Sequence, residues 1–69
     1  MVSGRQVVKA LQKLDYVLDR QRGSHMILRL QTPPHRRLTV PDHKEVAKGT
    51  LRAIIRQAGL TVDEFTDLL

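Results

Sequence analysis

The sequence predicts an α+β domain in the order helix, three antiparallel strands, helix, short terminal helix. Three observations predict it. Apolar residues recur at the helical period near both ends, with side-chain oxygens placed to cap the turns that carry them. Between them lie three short stretches of strand formers, separated by turns too short to hold a crossover. No repeat and no linker-like stretch divides the 69 residues, so residues 1–69 are expected to form one domain.

Ser3, with Gln6 three residues on, reads as a capping box that opens the first helix. Val7, Leu11 and Leu14 follow at helical spacing, Val8 broadens the stripe, and Arg5, Lys9, Gln12 and Lys13 take the opposite face. This helix is expected from Gly4 to about Leu14. Tyr16-Val17-Leu18 starts a strand that Asp19 to Arg22 continue with polar residues, and Gly23-Ser24 is a turn signal. His25 to Gln31 reads as a second strand, with Met26, Leu28 and Leu30 on one face and His25, Ile27 and Arg29 on the other. Ile27 spoils the alternation and leaves open which face is buried.

Thr32-Pro33-Pro34-His35 breaks the pattern, since neither proline serves a sheet interior. Arg36 to Val40 form a third strand, Leu38 and Val40 on one side and Arg37 and Thr39 on the other, ended by Pro41-Asp42. A second helix is expected from Lys48 or Gly49, where Leu51, Ile54, Ile55 and Ala58 make an amphipathic stripe that Gly59 is placed to stop. Thr61 and Glu64 form another capping box, opening a last turn or two with Phe65, Leu68 and Leu69 apolar.

Composition bounds the function. An apolar content of 41% supports a two-layer core but no deep enclosed pocket, so a site on this scaffold is expected to be a surface groove suited to a polymer. The absence of cysteine removes disulfides, thiolate nucleophiles and cysteine-based zinc sites, and fits a cytoplasmic location. No apolar run nears the roughly 20 residues that span a bilayer, and Arg5 and Lys9 interrupt any signal-peptide core. Twelve Lys and Arg against seven Asp and Glu give +5, a surface for nucleic acid, an acidic partner protein, or both.

Two clusters carry the chemistry. Lys48, Arg52 and Arg56 lie at i, i+4 and i+8, a basic ridge on the second helix whose bland reading is a solvated charged face. Its first N–H groups, at Gly49, Thr50 and Leu51, are placed to receive a phosphate, with Lys44 just upstream. The other cluster is Arg22-Gly23-Ser24-His25. His25 reads as an exposed or structural residue, as a metal ligand lacking a convincing set of partners, or as a general base. As a base it needs a substrate proton within reach, which the RNA 2′-hydroxyl supplies beside a phosphate that a cation can stabilise. His35 and His43, both in loop-like sequence, are alternative bases or the acid. Ser24 and His25, being adjacent, point apart and make no triad, and Gly23 and Gly49 make no nucleotide fingerprint. Tyr16 and Phe65 read as core, which argues against a base-stacking reader of single strands.

Four blocks of the chain resemble the HicA family of toxins, mRNA interferases of toxin–antitoxin pairs. They are Ser3 to Leu11, Arg20 to His25, Leu38 to Pro41 and Lys48 to Leu60. The resemblance implies a double-stranded-RNA-binding-domain-like fold, α-β-β-β-α, with the helices on one face of a three-stranded antiparallel sheet. It implies that His25 is catalytic, that the activity is endoribonuclease cleavage of mRNA arresting translation, and that the partner is a HicB-type antitoxin masking that histidine. Two departures stand out: Met26-Ile27-Leu28 follow the histidine where members often carry a histidine or an aromatic, and the loop from Gln31 to Arg36 is proline-rich. Arg22, Ser24, Lys44, Lys48, Gly49, Thr50, Arg52 and Arg56 are expected to contact RNA, with no metal, cofactor or membrane required. The competing expectations are a non-catalytic double-stranded-RNA binder and a module that only binds an acidic regulator.

Overall fold

Local signals written in the sequence set most element ends. The structure, a computed structural model, describes residues 1–69 as α1 (Gly4–Gln12), β1 (Tyr16–Arg22), β2 (His25–Leu30), β3 (Arg37–Pro41), α2 (Lys48–Gln57) and α3 (Val62–Leu68). Both expected capping boxes form: Ser3 Oγ accepts from Gln6 N at 3.1 Å while Gln6 Oε1 accepts from Ser3 N at 2.8 Å, and Thr61 and Glu64 repeat the exchange. The backbone and hydroxyl hydrogen bonds from Thr61 hold the Glu64 carboxyl below its ordinary value of 4.5. α2 ends as a Schellman motif, with Gly59 at φ +76, Gly59 N bonded to Arg56 O at 3.0 Å and Leu60 N to Ile55 O at 3.1 Å.

The three strands form one antiparallel sheet in the order β1-β2-β3. Registers Met26↔Val40 and Leu28↔Leu38 put these four side chains on a common face, where they join Val7, Leu11, Ile54, Ile55 and Phe65 in one core. All three helices therefore cover the same side. This answers the question Ile27 left open: the Met26 side is buried, and His25, Ile27 and Arg29 look out from the open face. Phe65, 2% exposed, anchors α3 under the helix layer. Tyr16, also a core residue, buries a hydroxyl that has no hydrogen-bond partner.

Several boundaries differ from expectation. α1 stops at Gln12, not Leu14, because Lys13 N and Leu14 N reach back only three residues, to Ala10 O and Leu11 O, and Asp15 at φ 68 turns the chain into β1. β2 ends at Leu30, and β3 starts at Arg37 and includes Pro41; as β3 is an edge strand, the missing proline N–H costs no ladder bond. His35, at φ 57, takes the left-handed position that closes the Pro-containing connection, one that His tolerates better than most non-glycine residues. Leu69 is exposed and adds nothing to the core. β1 carries a bulge between Leu18 and Arg20, and the extra residue, Asp19, bonds Arg37 at 3.1 Å and faces Arg29 at 3.9 Å. These two arginines are cross-strand partners, so Asp19 offsets a like-charge contact.

The closest approach of layers is at Gly4, where a Cβ would overlap the Pro41 carbonyl oxygen. Gly4→Ala is expected to destabilise the fold by about 1–3 kcal/mol, the usual cost of overpacking, read as a lower urea midpoint. Tyr16→Phe removes an unpaired buried hydroxyl and should leave stability unchanged or raise it by about 1 kcal/mol in the same assay.

Candidate functional site

The β1–β2 connection is the two-residue loop Gly23-Ser24, with Gly23 at φ +54 and Arg22 and His25 paired directly across it. A positive φ at the first loop residue alone is the pattern of a type II′ hairpin, and it fits the right-handed twist of the strands. His25 thus opens β2 on the sheet's open face, flanked across the strands by Arg22 and Pro41. It is exposed, and its ring takes part in none of the chain's internal hydrogen bonds.

His25 lines a shallow groove of about 430 Å³ with Thr39, His43, Glu45 and Thr50. Three segments meet there: the open sheet face, the connection between β3 and α2, and the first turn of α2. The connection is fastened by backbone bonds, with Gly4 N donating to His43 O at 2.9 Å, Val46 N to Val2 O at 2.8 Å and Asp42 N to Ser24 O at 2.6 Å. Val46 is buried and anchors it from below. The two histidine-bearing segments are therefore tied to each other and to the start of α1.

Asp42 is the hub of this corner. Its carboxylate accepts from Arg5 Nε at 3.3 Å and from Gln21 Nε2 at 3.1 Å, and the same Gln21 nitrogen donates to Gly23 O at 3.0 Å. The Arg5 hydrogen bond, then that of Gln21, lowers the Asp42 pKa below its ordinary 3.8, with the charges of Arg5 and His43 adding. α2 contrasts with its capped neighbours: its N-cap is Ala47, which offers no side-chain acceptor. Leu51 N, expected to be free, instead donates to Ala47 O at 2.9 Å, so the open donors at this end are Lys48, Gly49 and Thr50.

The expected site residues divide. His25 and Thr50 share the groove, Arg22 stands beside His25 on the sheet, and Lys48 and Gly49 open α2. Ser24 sits in the hairpin loop, its carbonyl taken by Asp42. Lys44 lines a separate hollow with Ser3, Arg5, Asp42 and His43, which makes His43 the wall between the two. Arg52 and Arg56 line a third hollow with Leu60, Thr61 and Val62 and do not reach the histidine groove. The groove residues that sequence reasoning missed are Glu45 and Thr39. Alternation set Thr39 opposite Leu38 and Val40, but only the β2–β3 register puts it near His25. His35 is elsewhere: its Nδ1 donates to Leu30 O at 3.1 Å, at the far end of β2.

The three ion pairs engage Arg5, Arg29 and Arg37; Arg20, Arg22, Lys44 and Lys48 are among the nine cations without carboxylate partners. No group of three histidine or acidic residues is placed to hold a metal ion. No helix is long and apolar enough to cross a membrane.

Fold and site together define a small basic α-β-β-β-α protein with an exposed histidine groove on an open-faced sheet. The family model described as HicA toxin of bacterial toxin–antitoxin matches residues 4–60, and the chain belongs to this family. It is the toxin of a toxin–antitoxin pair, whose partner is a cognate antitoxin. No curated protein matches the chain.

The lowered Asp42 pKa gives a pH signature. A carboxyl whose pKa is depressed by folding stabilises the fold above its unfolded value, and that contribution is lost as pH falls through the folded value. The melting-temperature gap between the parent and Asp42→Asn should be full at neutral pH and close as pH drops below 3.8.

Proposed function

We propose that this toxin is a metal-independent endoribonuclease that cuts mRNA in the cytoplasm with His25 as general base, residues 1–69 acting as one domain. The observation that carries the reading is the placement of His25: exposed, its ring free, in an open groove that ends at the uncapped start of α2. A neutral imidazole there accepts the proton of a ribose 2′-hydroxyl. The oxygen attacks the adjacent phosphorus and the bond to the 5′-oxygen breaks, leaving a 2′,3′-cyclic phosphate and a 5′-hydroxyl. Arg22, paired with the histidine across the strands, and Lys48 with the N–H groups of Gly49 and Thr50 would hold the phosphate and its developing charge. Lys44 and Ser24 border the site and extend the contact to flanking nucleotides.

A groove this open leaves most of the substrate outside the protein, which suits a polymer and leaves the histidine accessible to a covering protein. A HicB-type antitoxin with an acidic surface, laid over the Arg20 and Arg22 face, would mask His25 by occupying the same charges. A second reading has its own support: Arg52 and Arg56 lie in a hollow apart from the histidine groove. They suit a non-catalytic double-stranded-RNA binder that never uses His25.

One assay separates the two. His25→Ala should slow cleavage of a defined RNA by at least ~100-fold, the lower range of general-base contributions, while RNA affinity stays nearly unchanged and EDTA has no effect. RNA left equally intact by parent and variant would leave only the binding module. Arg22→Ala and Lys48→Ala should each reduce the salt dependence of RNA binding by about one phosphate contact.

A further inference from the structure

A base alone completes half of a phosphodiester cleavage. The 5′-oxygen leaves as an alkoxide unless a second group gives it a proton, and that group must stand across the phosphate from the base. Resting on the endoribonuclease reading above, we propose that His43 is the general acid that protonates the leaving 5′-oxygen.

The geometry singles it out. His43 lines the same groove as His25, the two coming from different segments: His25 from the start of β2, His43 from the connection that leads into α2. Its backbone is held by Gly4 N on its carbonyl, and the neighbouring Asp42 N is bonded to Ser24 O, one residue before His25. The two histidines therefore belong to segments that are hydrogen-bonded to each other, which fixes their backbones relative to one another. A phosphate between them would also lie beside the open N–H groups of α2.

The other candidates fail on position or anchoring. His35 is tied to Leu30 O, roughly 16 Å from His25 at the rise of an extended strand. Lys44 faces the neighbouring hollow with Arg5 and Asp42. Glu45 is in the groove, but its own backbone makes no hydrogen bond, whereas the His43 carbonyl is held by Gly4 N. The charged groups around His43 are Glu45 on the groove side and Asp42, Arg5 and Lys44 on the other.

The step balances. The 2′-hydroxyl proton passes to His25, the 2′-oxygen–phosphorus bond forms, and the phosphorus–5′-oxygen bond breaks. The 5′-oxygen takes its proton from the His43 imidazolium. His25 ends protonated and His43 neutral, and exchange with water resets both.

A leaving group that needs no acid tests this directly. Parent, His25→Ala, His43→Ala and His43→Gln proteins would be assayed on one RNA in two forms, with the ordinary 5′-oxygen linkage and with a 5′-bridging sulfur, which departs as a stable thiolate. Both His43 variants should cut the oxygen linkage at least ~100-fold slower than the parent and the sulfur linkage at close to the parent rate. His25→Ala should lose both. Retained cutting of the sulfur linkage also shows that the His43 variants are folded. Parent-like cleavage of the oxygen linkage by the His43 variants, or an equal loss on both linkages by His43→Gln, would overturn the assignment. Cleavage that survives His25→Ala would instead remove His25 as the base, and RNA left intact by the parent would remove the endoribonuclease reading and the acid with it.

Discussion

The site depends on one close approach, that of Gly4 to the end of β3. Because Gly4 has no side chain, the first turn of α1 settles directly onto the Pro41 carbonyl, and Gly4 N reaches His43 O at 2.9 Å. That contact brings three things to one corner: the start of a helix, the end of an edge strand and the hairpin loop before His25. Any larger residue would push α1 away and loosen the segment that carries His43 and Glu45. A residue with no chemistry of its own thus sets where the chemistry can occur.

Electrostatics then separates the surfaces. Of seven acidic residues, Asp19 and Asp42 are engaged by arginines, and Asp63, Glu64 and Asp67 lie together on α3. Of the cations outside ion pairs, Arg20 and Arg22 lie on the open sheet face and Lys44 and Lys48 on the approach to α2, while Arg52 and Arg56 lie toward α3 and Lys9 and Lys13 on α1 and its C-cap. Two helices satisfy their first N–H groups with capping boxes, and the third begins with alanine. An alanine N-cap typically forgoes about 1 kcal/mol relative to serine or threonine. At α2 that loss leaves donors open beside the histidine groove, which Ala47 and Thr50 line.

Much of this was legible in the chain because the signals are local. Ser3 with Gln6, Thr61 with Glu64, and Gly59 each act over a few residues, so element ends could be read from spacing alone. The end of α1 was missed because Asp15 adopts a left-handed conformation that no glycine announces. The open N–H groups were shifted by one residue, since where the helix begins depends on Ala47, which carries no capping signal. The grouping of site residues was less legible. Lys48, Arg52 and Arg56 form a ridge by helical periodicity, but the ridge leads away from His25 toward α3, and only tertiary packing decides which end meets the groove. Glu45 gave no signal at all, lying in a polar connection whose path is set by bonds to Val2 and Gly4.

The small size of the protein explains why the groove is built from segment ends. With a core of 12 clustered residues there is no interior in which to bury and preorganise a catalytic pair. What remains is to hang each reacting side chain from backbone that is already committed to other bonds. His25 follows a hairpin whose carbonyls are taken by Gln21 and Asp42, and His43 sits in a connection stitched to the α1 start. Both rings stay exposed, so water can exchange their protons between turnovers, and the polymer itself supplies the exclusion that a larger enzyme builds from loops. The same openness makes the site easy to silence: a partner need only cover one corner of the sheet, where the two segments meet, to separate base, phosphate donors and substrate at once.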